Sequence, residues 1–192
     1  MYQWSQRAVS SVLLGALMMS CGSKDDGAAM PSPAPEGSSM DMVTAGMFPV
    51  ALLEEYRTWT PVLAGDQAFK SAGHGGIFVR TYLNGVAVDH VAASDSPYPM
   101  AVGSVLAKAV VDSASQSSES ARRVYFMRKE SPGFDAANND WSYAVANRVN
   151  SKLVFDTRVR PTEPQCVSCH AKFAAYDYVQ TVDFYKRQTT SP

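Results

Sequence analysis

Ile77-Phe-Val-Arg-Thr-Tyr-Leu83, followed at once by Asn84-Gly85, is the stretch on which the reading of the fold turns. Ile77, Val79, Thr81 and Leu83 fall on one side of a two-residue period, and Phe78, Arg80 and Tyr82 on the other. That is the alternation of a pleated strand. Asn-Gly is the favoured pair for a two-residue hairpin, so Val86 to Val91 is expected to pair back on this strand. Downstream, Gly103 to Val111, Arg122 to Lys129 and Trp141 to Val149 read as further strands, with Lys152 to Phe155 as a short sixth. The intervening segments 94–99, 112–120 and 131–139 hold most of the Pro, Ser, Gly and Asn, as turns should. Upstream, Met47 to Trp59 reads as a helix with Pro49 in its first turn. Phe48, Leu52, Tyr56 and Trp59 recur there at helical spacing as core positions, and Thr60-Pro61 ends it. The expected fold class is α+β: mainly antiparallel β-sheet, with an N-terminal helix and a helical C-terminal segment around Cys166 to His170.

The chain has 192 residues, which at roughly 100–200 residues per domain predicts one folded domain. An apolar fraction of 46% is enough for a globular core. The net charge of -1 argues against a nucleic-acid partner, because a phosphate backbone is held by a clear excess of Lys and Arg. Arg7 and the apolar run Ala8 to Met19 read as an export signal over residues 1–20, too short to span a bilayer. Met18-Met-Ser-Cys21 ends it and resembles a bacterial lipobox, which would make Cys21 the lipid-bearing N-terminus. The alternative is an ordinary signal peptide with an incidental Cys. Residues 21–45 are rich in Pro, Ser and Gly and read as a flexible tether, leaving 46–192 as the folded domain. The expected location is exported and periplasmic, with a membrane held through the lipid anchor only.

Cys166-Val-Ser-Cys-His170 carries the chemistry. Two thiols at this spacing reach the two vinyl groups of one porphyrin, and the adjacent His is placed as the proximal iron ligand. This predicts one covalent haem c on Cys166 and Cys169, ligated by His170. A zinc site would need a second pair of ligands at matching spacing, and none exists. A thioredoxin-like pair would lie beside a βαβ unit, and a disulfide across two residues would constrain little chain. Export agrees with haem, since c-type haem is attached outside the cytoplasmic membrane. The motif comes late in the chain, behind strands, and no Met follows residue 127. Small electron-carrier cytochromes c show the opposite order.

Taken together, these stretches resemble the cytochrome P-460 family, which includes the β-sheet cytochromes c′. The matching residues are Gly75-Gly-Ile-Phe-Val-Arg80 with Tyr82-Leu-Asn84, Val102-Gly-Ser-Val-Leu-Ala-Lys108, Val124-Tyr-Phe-Met-Arg-Lys129, Asp140-Trp141, Cys166 to His170, and Asp177-Tyr-Val-Gln-Thr181. The resemblance implies a homodimer with a five-coordinate haem, His170 proximal and the distal side open to small nitrogen species. In the cytochrome P-460 branch a Lys is bonded to the porphyrin edge, and hydroxylamine is oxidised with nitric oxide on the reaction path. The β-type cytochromes c′ instead bind nitric oxide under aromatic caps.

Lys108 best matches the cross-linking Lys, although Ala109 stands where an acidic residue often follows it. Glu130 is the candidate distal carboxylate, a base for the protons that hydroxylamine oxidation releases, with Asp135 and Asp140 as competitors. Arg80 is a candidate partner for a haem propionate or distal ligand, and Phe78 and Phe126 are candidate aromatic caps. His74 and His90 each lie next to a turn, which favours solvated positions over service as a sixth ligand. The resulting expectations are an enzyme passing electrons from hydroxylamine to a periplasmic acceptor cytochrome, a non-catalytic nitric-oxide binder, or an electron-transfer cytochrome.

Overall fold

The computed structural model describes residues 47–179 and 181–190. The export signal, Cys21 and the tether therefore lie outside the described residues. Seven strands form one antiparallel sheet: β1 Thr60–Pro61, β2 Phe69–Ser71, β3 Ile77–Leu83, β4 Val105–Val111, β5 Arg123–Lys129, β6 Trp141–Val149 and β7 Lys152–Phe155. The order across the sheet is β1-β3-β4-β5-β6-β7, and β2 pairs with the other end of β3. The fold is α+β, with helices α1 Leu52–Glu55, α2 Gly85–Ala93, α3 Pro164–His170 and α4 Val182–Thr190.

The hairpin expected at Asn84-Gly85 is not formed. Asn84 has φ -70° and ψ 169°, outside the left-handed region an Asn-Gly hairpin requires. It caps helix α2 instead, its Oδ1 accepting from the backbone N–H of Ala87 at 3.1 Å. The same oxygen accepts from Val105 N–H at 2.9 Å, and the amide donates to the Gly103 carbonyl at 3.0 Å. One side chain thus starts the helix and ties it to β4. Residues 86–91 are helical, with Ala87 and Val91 buried at i,i+4 spacing. β4 takes the place beside β3 that they were expected to fill. The N-terminal helix is also shorter than its apolar spacing suggests: α1 covers four residues and continues as a 3-10 turn over Tyr56–Thr58. Its expected core positions Phe48, Leu52 and Tyr56 are buried.

Register assigns every strand residue a face. Thr81 pairs with Lys108, Lys108 with Tyr125, and Tyr125 with Val145, so these four form one row. Leu83, Leu106, Met127 and Tyr143 form the next row on the same face. The opposite face carries Tyr82, Ala107, Phe126 and Ala144, packed under Phe48, Leu52 and Tyr56. Part of the first face is covered by α2 and the C-terminal segment, through Val91, Met100, Trp141, Val179 and Val182. The rest of it opens into a cleft.

Candidate functional site

Helix α3 begins with Pro164, whose missing N–H costs nothing in a first turn. Cys166 and Cys169 are three residues apart and so share one side of this helix, with His170 next in line. All three are half-buried and line a cleft of about 1100 Å³ between the helix and the sheet. His170 is oriented from behind: its Nδ1 donates to the Tyr178 carbonyl at 2.9 Å, leaving Nε2 as the available lone pair. Burial pushes the His170 imidazole down to about 4, against the opposing pull of that hydrogen bond, so it is neutral and able to bind metal.

The carbonyl of Tyr178 is held in place by a buried ion pair. Asp177 and Tyr178 have φ of 47° and 66°, a left-handed turn that non-glycine residues rarely adopt. Lys129 reaches from β5 to both Asp177 oxygens at 2.8 and 2.9 Å, and to the Asn139 carbonyl at 2.7 Å. Asp177 also accepts from Met100 N–H at 2.8 Å and from the Trp141 indole at 3.3 Å. Each carboxylate oxygen thus accepts two hydrogen bonds, which is the condition for tolerating a buried charge. Lys129 and Asp177 were quoted above only within matching stretches. Their role was missed because 48 residues separate them.

The sheet supplies the opposite wall of the cleft. Lys108 sits at its centre, between Thr81 and Tyr125 on the neighbouring strands. Protein surrounds its stem, and burial pushes its amine down to about 8, with Cys169 pulling slightly the other way. Lys108 in turn depresses both His74 and His170. Tyr143 packs its ring 5.5 Å from that of His170, and burial raises its phenol, with Cys166 adding to the rise. The hydroxyls of Thr81 and Tyr143 are buried without a hydrogen-bond partner, although both residues line the cleft. Arg123 and Arg158 bring positive charge to the cleft, alongside Asp156 and Glu163.

His74 departs from expectation. Its turn is not a solvated corner: the ring lies in the cleft, 4.8 Å from Tyr125 and 6.4 Å from His170 by ring centroids. Burial, then Lys108, then His170, push it down to about 3. The glycines flanking it and Ser71 at i-3 were the available sequence signals.

Six other candidates supply no side-chain group to the cleft. Phe126 borders the cleft, but its ring packs on the opposite face, 5.9 Å from Tyr56 and 5.7 Å from Phe155. Phe78 shares that parity and lies under the Lys70 ammonium at 5.4 Å, so neither ring caps the cleft. Arg80, also on that side, donates to the carbonyls of Gln116 and Ala114 and pairs with Asp66 at 3.2 Å. It fastens the loop after β4 and is not available to a propionate. Glu130 has the parity of Phe126, accepts from Ser142 Oγ at 2.6 Å and sits 3.6 Å from Arg128. Its carboxylate is structural. Asp140 accepts from the N–H groups of Gly133 and Asp135, closing its own loop. His90 lies on α2 and does not line the cleft.

A flat tetrapyrrole fits this donor set: two thiols on one helix side, a neutral imidazole with Nε2 available, and a wall where Leu106, Met127 and Val145 flank Lys108 and two orphaned hydroxyls. A bare metal site does not, because no group of three or more His, Cys, Asp or Glu among the described residues is arranged to hold one. Among the described residues no helix is long and apolar enough to cross a membrane. No curated protein matches the chain. The family model described as Cytochrome P460 matches it over residues 53–181.

Proposed function

Because this chain belongs to the cytochrome P460 family of haem cytochromes, we propose that it is an exported mono-haem c-type cytochrome that oxidises hydroxylamine. In this reading Cys166 and Cys169 hold the haem covalently, His170 is its permanent axial ligand, and Lys108 is bonded to the porphyrin edge. The observation that carries it is Lys108: its amine opens on the same cleft as the haem-attachment residues and is lowered to about 8. An amine that sheds its proton near neutral pH is a competent nucleophile, whereas a solvated Lys is not. The haem, when bound, supplies one-electron redox chemistry at its iron.

The chain's own residues position and insulate that chemistry. Tyr178 and the Lys129–Asp177 pair fix the His170 ring. Leu106, Met127 and Val145 keep the sheet wall dry, and Arg123, on the cleft face of β5, matches a carboxylate of a porphyrin rim. The structural engagement of Glu130 removes it as proton acceptor. Electrons leave to a periplasmic acceptor cytochrome, and the protein works as a homodimer tethered through a lipid on Cys21.

The optical spectrum tests the reading. Protein matured with its haem is expected to show a strongly red-shifted ferrous Soret band, and Lys108→Ala an ordinary c-type band. An ordinary spectrum that Lys108→Ala leaves unchanged contradicts the cross-linked oxidase and favours a nitric-oxide-binding protein.

A further inference from the structure

We propose that His74 is the sixth ligand of the haem iron in the resting protein, opposite His170, and that small nitrogen ligands enter by displacing it. The inference rests on the haem reading above and replaces the five-coordinate iron implied by the family resemblance with a six-coordinate resting state that opens when His74 leaves.

Spacing is the first support. Two imidazoles on opposite sides of one metal, with metal–nitrogen bonds of about 2.0 Å and ring centres about 1.2 Å beyond each nitrogen, have centroids about 6.4 Å apart. The rings of His74 and His170 are 6.4 Å apart, with their planes at 67°. Each lines the same cleft, so a porphyrin seated between the two rings would meet an imidazole on both sides.

Hydrogen bonding is the second. His170 commits Nδ1 to the Tyr178 carbonyl at 2.9 Å. His74 commits Nδ1 to Ser71 Oγ at 3.0 Å. Both rings therefore keep Nε2 for a metal, with Nδ1 held by a partner in the protein, the usual support of a ligating His. The Tyr125 ring, 4.8 Å away, steadies the orientation of His74.

The third support is the local backbone, which explains why the ligand is exchangeable. His74 sits in a three-residue turn, Ala72–His74, between β2 and β3. Gly75 and Gly76 follow with φ of 74° and 76°, conformations that cost glycine nothing. The turn also touches the haem-bearing helix, with Cys169 Sγ 3.9 Å from the Gly73 carbonyl. His170 is anchored by a buried ion pair, whereas His74 hangs on a glycine-flanked turn and one hydroxyl. The two ligands are unequal by construction, and His74 is the one that leaves.

The experiment uses the haem-loaded protein. Ferric wild type is expected to give a low-spin electron paramagnetic resonance signal. His74→Ala is expected to turn high-spin, and to return to low-spin when imidazole is added. Carbon monoxide binding to the ferrous wild type is expected to level off at high gas concentration, limited by loss of His74. In His74→Ala it should stay linear and run about tenfold faster or more, since the open state no longer has to be populated first. His74→Gln, which keeps polarity and approximate size, guards against a folding defect and is expected to behave like the Ala variant. A high-spin wild type, or a low-spin signal unchanged in both variants, overturns the sixth-ligand role. A pyridine haemochrome assay on the same samples separates the two readings. Covalent haem with the wrong spin state overturns His74 alone, and absence of covalent haem overturns both.

Discussion

The two faces of the sheet are built from alternate residues of the same strands, yet they are packed on different principles. One face is an aromatic seam, in which Phe48, Tyr56, Phe126 and Phe155 meet at centroid distances of 5.7–6.4 Å with tilted or edge-on rings. The other carries Lys108, Thr81, Tyr125 and Tyr143 over a cleft, with two hydroxyls that no protein atom satisfies. Tyr125 and Phe126 are chain neighbours and fall on opposite sides of this division. A core gains by eliminating polar atoms and voids. A cofactor site keeps both, in the shape of what it will hold. The contrast separates residues that stabilise the fold from residues that serve the site, even where both are aromatic.

Substitutions on each face can break or sharpen that contrast. The largest effect is expected on the cleft face, at the buried ion pair behind His170. Lys129→Met leaves Asp177 buried without its charge partner, which should cost about 3–5 kcal/mol of stability in denaturant unfolding. It should also perturb the haem spectrum, because the Tyr178 carbonyl loses its support. Phe126→Ala should cost about as much, 3–5 kcal/mol, through the cavity it opens in the aromatic seam, yet leave the spectrum of the folded protein unchanged. A spectral shift there would place Phe126 at the haem after all. Arg80→Ala should cost about 1–3 kcal/mol by releasing the two loop carbonyls, again without spectral consequence. The smallest effect is expected at Thr81→Val, within about 0.5 kcal/mol in stability, because the hydroxyl removed has no partner in the protein. A larger loss would mean that the hydroxyl is engaged.

Much of the sheet was legible because alternation and turn composition act locally. β6 and β7 begin and end where their apolar runs do, and β3 keeps the two faces its alternation predicts. Asn84-Gly85 misled because a local hairpin signal competed with a longer-range one: Asn84 bonds to Gly103 and Val105, about twenty residues away. The short strands β1 and β2 carry too few residues for a period to register. Within the site, the attachment residues are contiguous and so can be read directly. Assigning Arg80, Glu130, Phe78 and Phe126 required knowing which face of each strand meets which face of the next. That depends on register, and register here follows from how α2 returns the chain to β4. His74 was hidden for the converse reason: turns are usually solvated, and only the tertiary fold lays this one against α3.

The central claim is that the Cys166–His170 helix presents covalent haem to this cleft. It is tested most directly by haem retained through denaturation, in wild type and in the Cys166→Ala, Cys169→Ala double variant. The account predicts one haem per wild-type chain after denaturing electrophoresis and none in the double variant. Staining that survives in the double variant, or a wild type that retains none, would contradict it.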